Sequence, residues 1–368
     1  AGQGHASQAK PSDVTEGGLA RRPRLVALET ETAAASTERR VNVRLADGLT
    51  PLMLGCSYAA PTDEAAVRMV DALVLHRADV NACGAPRAST ALIMAAQNGY
   101  LAIVQALIKH RANVNQVRTD GWSALHVAAD SGFVDVCSAL IDANASLTHL
   151  TAKRGASPLH TAARRGHTST LDLLLNAKAD AFFARKEDGT TALMLASRNG
   201  FDDSVRRLLK AGLKHEALTS SRREGVEGTN ALMFGALLGR DAVVRTLLAA
   251  GVSPLLVDGQ GENVLHYTAK GGWLTTLLVI LEQATDLHAL TQQRGRRGKQ
   301  PIDTAREYDH GAIVALLEKI QPASGLQAGP GDRGISLTHR RAPPTVSRNS
   351  TSATSPLSNA GSRQSGFV

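Results

Sequence analysis

The residues with most to offer chemically are cations that recur at the connections between apolar stretches. They are Arg44, Arg87, Arg118, Lys153 with Arg154, Arg185 with Lys186, Arg222 with Arg223, and Arg294 with Arg296 and Arg297. Guanidinium and ammonium groups attract carboxylates and phosphates, and set in a row they steer and position an acidic partner. Acids occupy the same connections at Asp47, Asp120, Glu187, Asp188, Glu224, Glu227 and Asp258. A solvated face kept soluble by mixed charge is therefore the competing reading. Trp122 stands close to Arg118, and aromatic and Arg residues dominate the energetic centres of interfaces. The residues expected to meet a partner are Arg87, Arg118, Trp122, Lys153, Arg154, Arg185, Lys186, Arg222, Arg223, Arg296 and Arg297.

Other chemistry is thin. His126, His160 and His266 occupy equivalent positions. A zinc ion needs its ligands within about 2 Å, and residues one helix spacing apart cannot easily share it. A structural role is expected instead, with the ring bonded to the Ser123 or Ser157 hydroxyl and the turn backbone. Cys56, Cys83 and Cys137 show no metal-ligand spacing and are expected to be reduced thiols, with Cys137 in the core. No phosphate loop, nucleophile elbow or glycine fingerprint appears. No enzymatic activity, cofactor or metal is expected of this segment.

Composition narrows the class further. Aromatics make up 3% of 368 residues, where a large globular core draws on aromatic bulk. No uninterrupted apolar run of about 20 residues exists, so no membrane span is expected. The N-terminus lacks an apolar run like a signal peptide core, so a cytoplasmic or nuclear place is expected. The net charge is +8, of which residues 321–368 carry +4 and residues 1–40 carry +1. With half the basic character outside the middle of the chain, the charge alone is weak support for nucleic-acid binding.

The elements that must position the cations repeat. A Leu or Ile marks the same point at Leu52, Leu92, Leu125, Leu159, Leu193, Leu232, Leu265 and Ile302, in steps of 40, 33, 34, 34, 39, 33 and 37. A period near 33 built from two short helices and a turn predicts stacked units. Each unit opens with a turn, often Asp-Gly, then a Thr or Ser that caps a short Ala-rich helix, as at Thr50-Pro51-Leu52 and Ser157-Pro158-Leu159. A Gly turn leads to a second helix with apolar residues three and four apart, such as Ile103-Val104-Ala106-Leu107-Ile108. The site just after that helix is expected to be left-handed. Gly212 and Gly251 suit it, while Arg77, Arg111, Asn144 and Lys178 fill it elsewhere. Long steps predict insertions at 57–62 inside the first unit, at 220–228, and at 292–298.

These phrases resemble the ankyrin repeat family, whose pattern Thr-Pro-Leu-His-x-Ala-Ala and Gly-Ala-Asp-Val-Asn is matched in pieces by every unit. A narrower resemblance, to the intracellular ankyrin domain of Notch receptors, is carried by Val41-Asn42-Val43-Arg44, the extended first unit and Asp303-Thr304-Ala305-Arg306-Glu307. The family resemblance implies an all-α, curved solenoid of about eight antiparallel helix pairs over 41–320, with β-hairpin-like loops along one edge. Residues 1–40 are expected to be mostly disordered, with a weak capping helix over 24–36, and 321–368 to be a disordered tail rich in Ser, Pro and Arg. Ankyrin proteins bind partners with the hairpin tips and the concave face of the first helices. The resemblance thus implies a monomeric interaction scaffold or adaptor for a protein with an acidic surface. A binder of nucleic acid or phosphoinositide through the basic edge is the alternative.

Overall fold

The computed structural model describes residues 41–45, 48–58, 63–212 and 228–320. Seventeen helices are formed there, and no extended strand is present among the described residues. They begin with α1 (Pro51–Ser57) and α2 (Asp63–Leu75), α3 (Ala91–Asn98) and α4 (Leu101–Lys109), α5 (Ala124–Ser131) and α6 (Val134–Asp142), α7 (Pro158–Arg165) and α8 (Thr168–Asn176). They continue with α9 (Ala192–Asn199) and α10 (Asp202–Lys210), α11 (Ala231–Leu237) and α12 (Asp241–Ala249), α13 (Val264–Gly271) and α14 (Leu274–Gln283), a short α15 (Leu287–Gln292), and α16 (Pro301–Glu307) with α17 (Gly311–Ile320).

Eight helix pairs result. The first helix of each pair packs on the first helix of the next, and second packs on second, without a break from the first unit to the last. Helices of six to thirteen residues are too short to be stable alone in water, so this stacking must hold them. The recurring Leu and Ile are its pegs. All eight are at most 3% exposed, and burying each such side chain contributes roughly 2 kcal/mol.

Local chemistry sets the ends of the helices. The hydroxyls of Thr50, Thr90 and Thr191 accept the amides of Met53, Ile93 and Met194 at 3.3 Å. Pro51, Pro158 and Pro301 open their helices, where a missing N–H goes unnoticed. Arg77, Arg111, Asn144 and Lys178 all adopt the left-handed backbone, with φ of 66°, 61°, 62° and 67°. The turn after the second helix thus outweighs the strain on a side-chain-bearing residue.

On the far edge, from the third unit to the eighth, the residue after the inter-helix turn lays a planar group over the glycine of the preceding unit. Phe133 covers Gly99, His167 covers Gly132, Phe201 covers Gly166, Arg240 covers Gly200, Trp273 covers Gly239 and His310 covers Gly272. Those with a ring or guanidinium N–H donate it to a carbonyl of that same preceding turn. His167 reaches Asp130 at 2.9 Å, Trp273 reaches Leu237 at 3.0 Å, His310 reaches Lys270 at 3.3 Å and Arg240 reaches Arg198 at 3.4 Å.

The seventh connection differs from the plain loop expected of it. Helix α15 forms ahead of it, because Asp286 caps the Ala289 amide at 2.8 Å and Leu290 is fully buried as an apolar anchor. The expected capping helix at 24–36, both terminal segments, residues 59–62 of the first expected insertion and 220–227 of the second lie outside the described residues.

Candidate partner-binding edge

The connections between units form hairpin-like tips, closed by single antiparallel bridges at Gly84–Ser89, Val117–Ser123 and Ala184–Thr191. Neighbouring tips are stitched together by backbone. The Thr119 amide donates to the Arg87 carbonyl at 3.0 Å, the Ala152 amide to Asp120 at 2.9 Å, and the Arg296 amide to Gln260 at 2.6 Å. A Cβ at Gly155 would lie only 3.4 Å from the Lys186 nitrogen. Charges far apart in sequence therefore do share one edge.

Three of the tips are also tied to the unit before them by a buried histidine. The Nε2 of His126 donates to the Ala156 carbonyl at 3.0 Å, that of His160 to Thr190 at 3.2 Å, and that of His266 to Lys299 at 3.1 Å. With Nε2 carrying the proton, Nδ1 is free to accept, and it meets the Ser123 hydroxyl at 2.9 Å and the Ser157 hydroxyl at 2.8 Å. This is the structural role expected for these rings. Burial, the main cause, pushes the imidazoles of His126 and His160 down from 6.5 to about 4, so both are neutral at pH 7.

The expected row of cations is narrower than the sequence suggested. Arg118 and Arg185 are not free tip charges. They are only 9% and 6% exposed. Arg118 grips Asp120 through Nε at 3.1 Å and Nη2 at 2.9 Å. Arg185 holds Asp188 in the same two-pronged way, with Nε at 3.0 Å. The physical reason lies in the turn. Each Asp folds back to accept amides of its own loop, Trp122 at 3.3 Å and Thr190 at 3.0 Å, and so presents its carboxylate to the Arg two or three residues earlier. Burial pushes both carboxyls up, but their Arg partners and these amides outweigh it and hold them below the ordinary value. Trp122 is likewise occupied. Its ring centroid lies 5.7 Å from the Arg118 guanidinium and 5.9 Å from the His126 ring.

The tip before the seventh unit solves the same problem without Arg. Buried Asp258 accepts the amides of Gln260 and Glu262, both at 2.8 Å, and the Tyr267 hydroxyl at 2.7 Å.

What remains is a smaller set. Arg87, Lys153, Arg154, Lys186, Arg296 and Arg297 are exposed, and none joins an ion pair among the described residues. Arg87 stands near enough to Asp120 to help lower its carboxyl. Arg297 acts in the same way on Glu307, whose main partner is Lys299 at 2.7 Å. Arg44, at the first tip, donates to the Cys83 carbonyl at 2.6 Å. Arg222 and Arg223 lie outside the described residues. Cys56 and Cys137 are buried, which pushes their thiols up to about 12. Cys83 is half-buried and accepts from the Gln116 amide at 2.8 Å.

A second charged feature was missed in the sequence. At the end of the first helices, Arg164 and Arg165 converge on one carboxylate, Asp130, and Arg165 binds it through Nε at 3.1 Å and Nη2 at 3.0 Å. Its signal was available: Asp130 and Arg164 occupy the same place in successive units. The planar residues of the far edge were equally legible, since all but His310, which follows Asp309, directly follow a turn glycine.

A family model described as ankyrin repeats in three copies matches residues 57–150 and 146–219. The crystal structure of the human ASB11 ankyrin repeat domain aligns with 65% of this chain and 100% of its own length, at a TM-score of 0.54 and 22% identity. At that identity the likeness speaks for the fold alone. No curated protein matches the chain in sequence. No helix among the described residues is long and apolar enough to cross a membrane. The stacked pairs, their Thr- and Ser-capped first helices, the bridged tips and these matches together make this an ankyrin-repeat protein.

Proposed function

We propose that this protein is a non-enzymatic interaction scaffold that binds an acidic protein surface through the tips carrying Arg87, Lys153, Arg154 and Lys186. Ankyrin repeats are generally protein–protein interaction modules, and the fold is typically non-catalytic. One observation carries the finer reading. The aspartates of the neighbouring tips are engaged by Arg118 and Arg185, while exposed Lys153 and Arg154 stand in a turn, 150–157, that contains no acid. Uncompensated charge on stitched, rigid loops attracts a partner without a large ordering cost.

The basic edge is less suited to nucleic acid. Single-stranded binders stack bases on aromatic faces, and Trp122 is already packed between Arg118 and His126. A tagged full chain should recover its partners from a lysate, and the triple variant Lys153→Glu, Arg154→Glu, Lys186→Glu should lose at least about ten-fold of that recovery at unchanged helicity. Undiminished recovery sinks the edge reading. Recovery abolished by nuclease would instead place nucleic acid in the complex.

A further inference from the structure

The last tip, residues 292–299, carries Arg294, Arg296, Arg297 and Lys299 and no acid. The three arginines are exposed. This tip repeats the backbone of the tip before it. There the Asp258 amide donates to the Glu262 carbonyl at 3.0 Å and the Gly261 amide to Asp258 at 2.9 Å. Here the Gly295 amide donates to the Lys299 carbonyl at 3.0 Å and the Gly298 amide to Gly295 at 2.8 Å. Gly295 therefore holds the place of Asp258, Arg297 that of Gln260, and Lys299 that of Glu262.

The exchange takes an anion out of the turn. In the earlier tip one carboxylate oxygen of Asp258 accepts the amides of Gln260 and Glu262, both at 2.8 Å. Gly295 has no side chain to offer. The matching amides of Arg297 and Lys299 meet no acceptor among the described residues. The carboxylates around them are committed elsewhere. Glu262, which lies against Gly295, is held by Lys270, and Glu307 is held by Lys299 at 2.7 Å. Asp303 accepts the Gln300 amide at 3.0 Å, and Asp286 caps α15. The turn is also braced. Arg294 gives one N–H to the Gly298 carbonyl at 2.7 Å, and the Arg296 amide binds Gln260 of the tip before.

We infer that the last tip binds the phosphoryl group of a phosphorylated serine or threonine in a partner protein. Such a group brings close to two negative charges and three acceptor oxygens. Two amides and three guanidinium groups match it, because guanidinium forks pair with phosphate through two parallel bonds. A lone carboxylate brings one charge and leaves most of these donors unused. The tip before offers apolar contact to residues flanking the phosphorylated one. Its Leu255 and Val257 are 41% and 45% exposed, and Val257 stands in the place that Arg294 takes in the last tip. More than half covered, they suit a peptide laid over them and are too sunken to enter a bilayer. Arg87, Lys153, Arg154 and Lys186 take no part, so this site stands or falls apart from the basic edge proposed above.

The test uses the full chain and a fluorescein-labelled mixture of ten-residue peptides with a fixed central phosphoserine and random flanks. By anisotropy it should bind at least about ten-fold tighter than the same mixture with serine, and about five-fold tighter than that with glutamate. The double variant Arg296→Ala, Arg297→Ala should lose this preference, with helicity checked by circular dichroism. Gly295→Asn leaves the charge alone but offers an oxygen to the Arg297 and Lys299 amides, as Asp258 does in the tip before. It should weaken phosphopeptide binding at least about three-fold. Equal binding of the phosphorylated and serine mixtures, or no binding of either, overturns the proposal. So does a preference that survives the double variant, or full binding by Gly295→Asn. Tighter binding of vesicles carrying phosphatidylinositol phosphate, or of single-stranded DNA, would assign the tip to a membrane or a nucleic acid and overturn it too.

Discussion

On the far edge of the stack, Phe133, His167, Phe201, Arg240, Trp273 and His310 all turn inward along the array, each covering a glycine of the preceding unit. On the tip edge, Arg87, Lys153, Arg154, Lys186, Arg296 and Arg297 turn outward and pair with nothing among the described residues. Both rows arise from the same repetition and both are cross-linked from unit to unit. The far edge consumes its functional groups in holding neighbours together. The tip edge holds together through backbone and buried histidines, so its side chains are left over. In a repeat protein, then, periodicity alone does not mark a binding surface. The mark is a periodic side chain with no periodic partner.

Acid should separate the two edges most strongly. The folded imidazoles of His126 and His160 titrate near 4 and the unfolded ones near 6.5. Between those values the unfolded chain binds protons that the folded chain refuses. The stability they contribute is full above pH 6.5 and is lost as pH falls toward 4, by up to about 3 kcal/mol for each ring. Asp120 and Asp188, whose folded values are depressed, add a further loss only below about 4. Urea midpoints at pH 7, 5.5 and 4 should fall in that order, and His160→Gln should flatten the slope. Hydrogen exchange should rise at the tips served by these rings before it rises at the far edge. A midpoint independent of pH over this range would dissolve the distinction between the edges.

A methyl group should come next. Gly132 has φ 79°, and a Cβ there would stand 2.6 Å from the His167 ring. Gly132→Ala meets backbone strain and a blocked stacking position together, and should lose about 2–3 kcal/mol. Gly298, on the tip edge, has φ 70° but nothing within 4 Å of its would-be Cβ. Gly298→Ala should lose only about 1 kcal/mol. Chemical denaturation of both variants measures the difference, and equal losses would show that crowding at the far edge carries no energy.

The stacking group itself should matter somewhat less. Trp273 is 46% exposed, yet it covers Gly239 and donates to the Leu237 carbonyl. Trp273→Ala should lose about 1–2 kcal/mol, the sum of a half-buried ring and one hydrogen bond. Trp273→His should regain part of it, because His167 makes the equivalent bond three units earlier.

Much of this was legible in the sequence. The eight Leu and Ile pegs, the Thr and Ser caps, and the left-handed sites at Arg77, Arg111, Asn144 and Lys178 follow from period and local propensity, and they landed where expected. The edge was legible as a row but not in detail. Counting charge treats Arg118 and Arg154 alike, although the first precedes an Asp-Gly turn and the second a bare Gly. Only the fold of that turn shows the aspartate doubling back to take the arginine. Helix α15 was missed because one cap and one buried Leu, without a full amphipathic period, suffice when neighbours supply the surface.

The smallest stability effect belongs to the residues most tied to function. Lys153→Ala with Arg154→Ala removes two exposed side chains that touch no carboxylate among the described residues. The closure of their tip does not depend on them, since the Thr151 amide donates to the Ala156 carbonyl at 3.0 Å and the Ala156 amide to the Thr151 hydroxyl at 3.1 Å. Stability should therefore move by no more than about 0.5 kcal/mol, while capture of an acidic partner should fall. A large drop in the urea midpoint would mean that these cations support the fold after all. The tip edge would then be as self-satisfied as the far edge, and the argument from unpaired charge to partner would lose its premise.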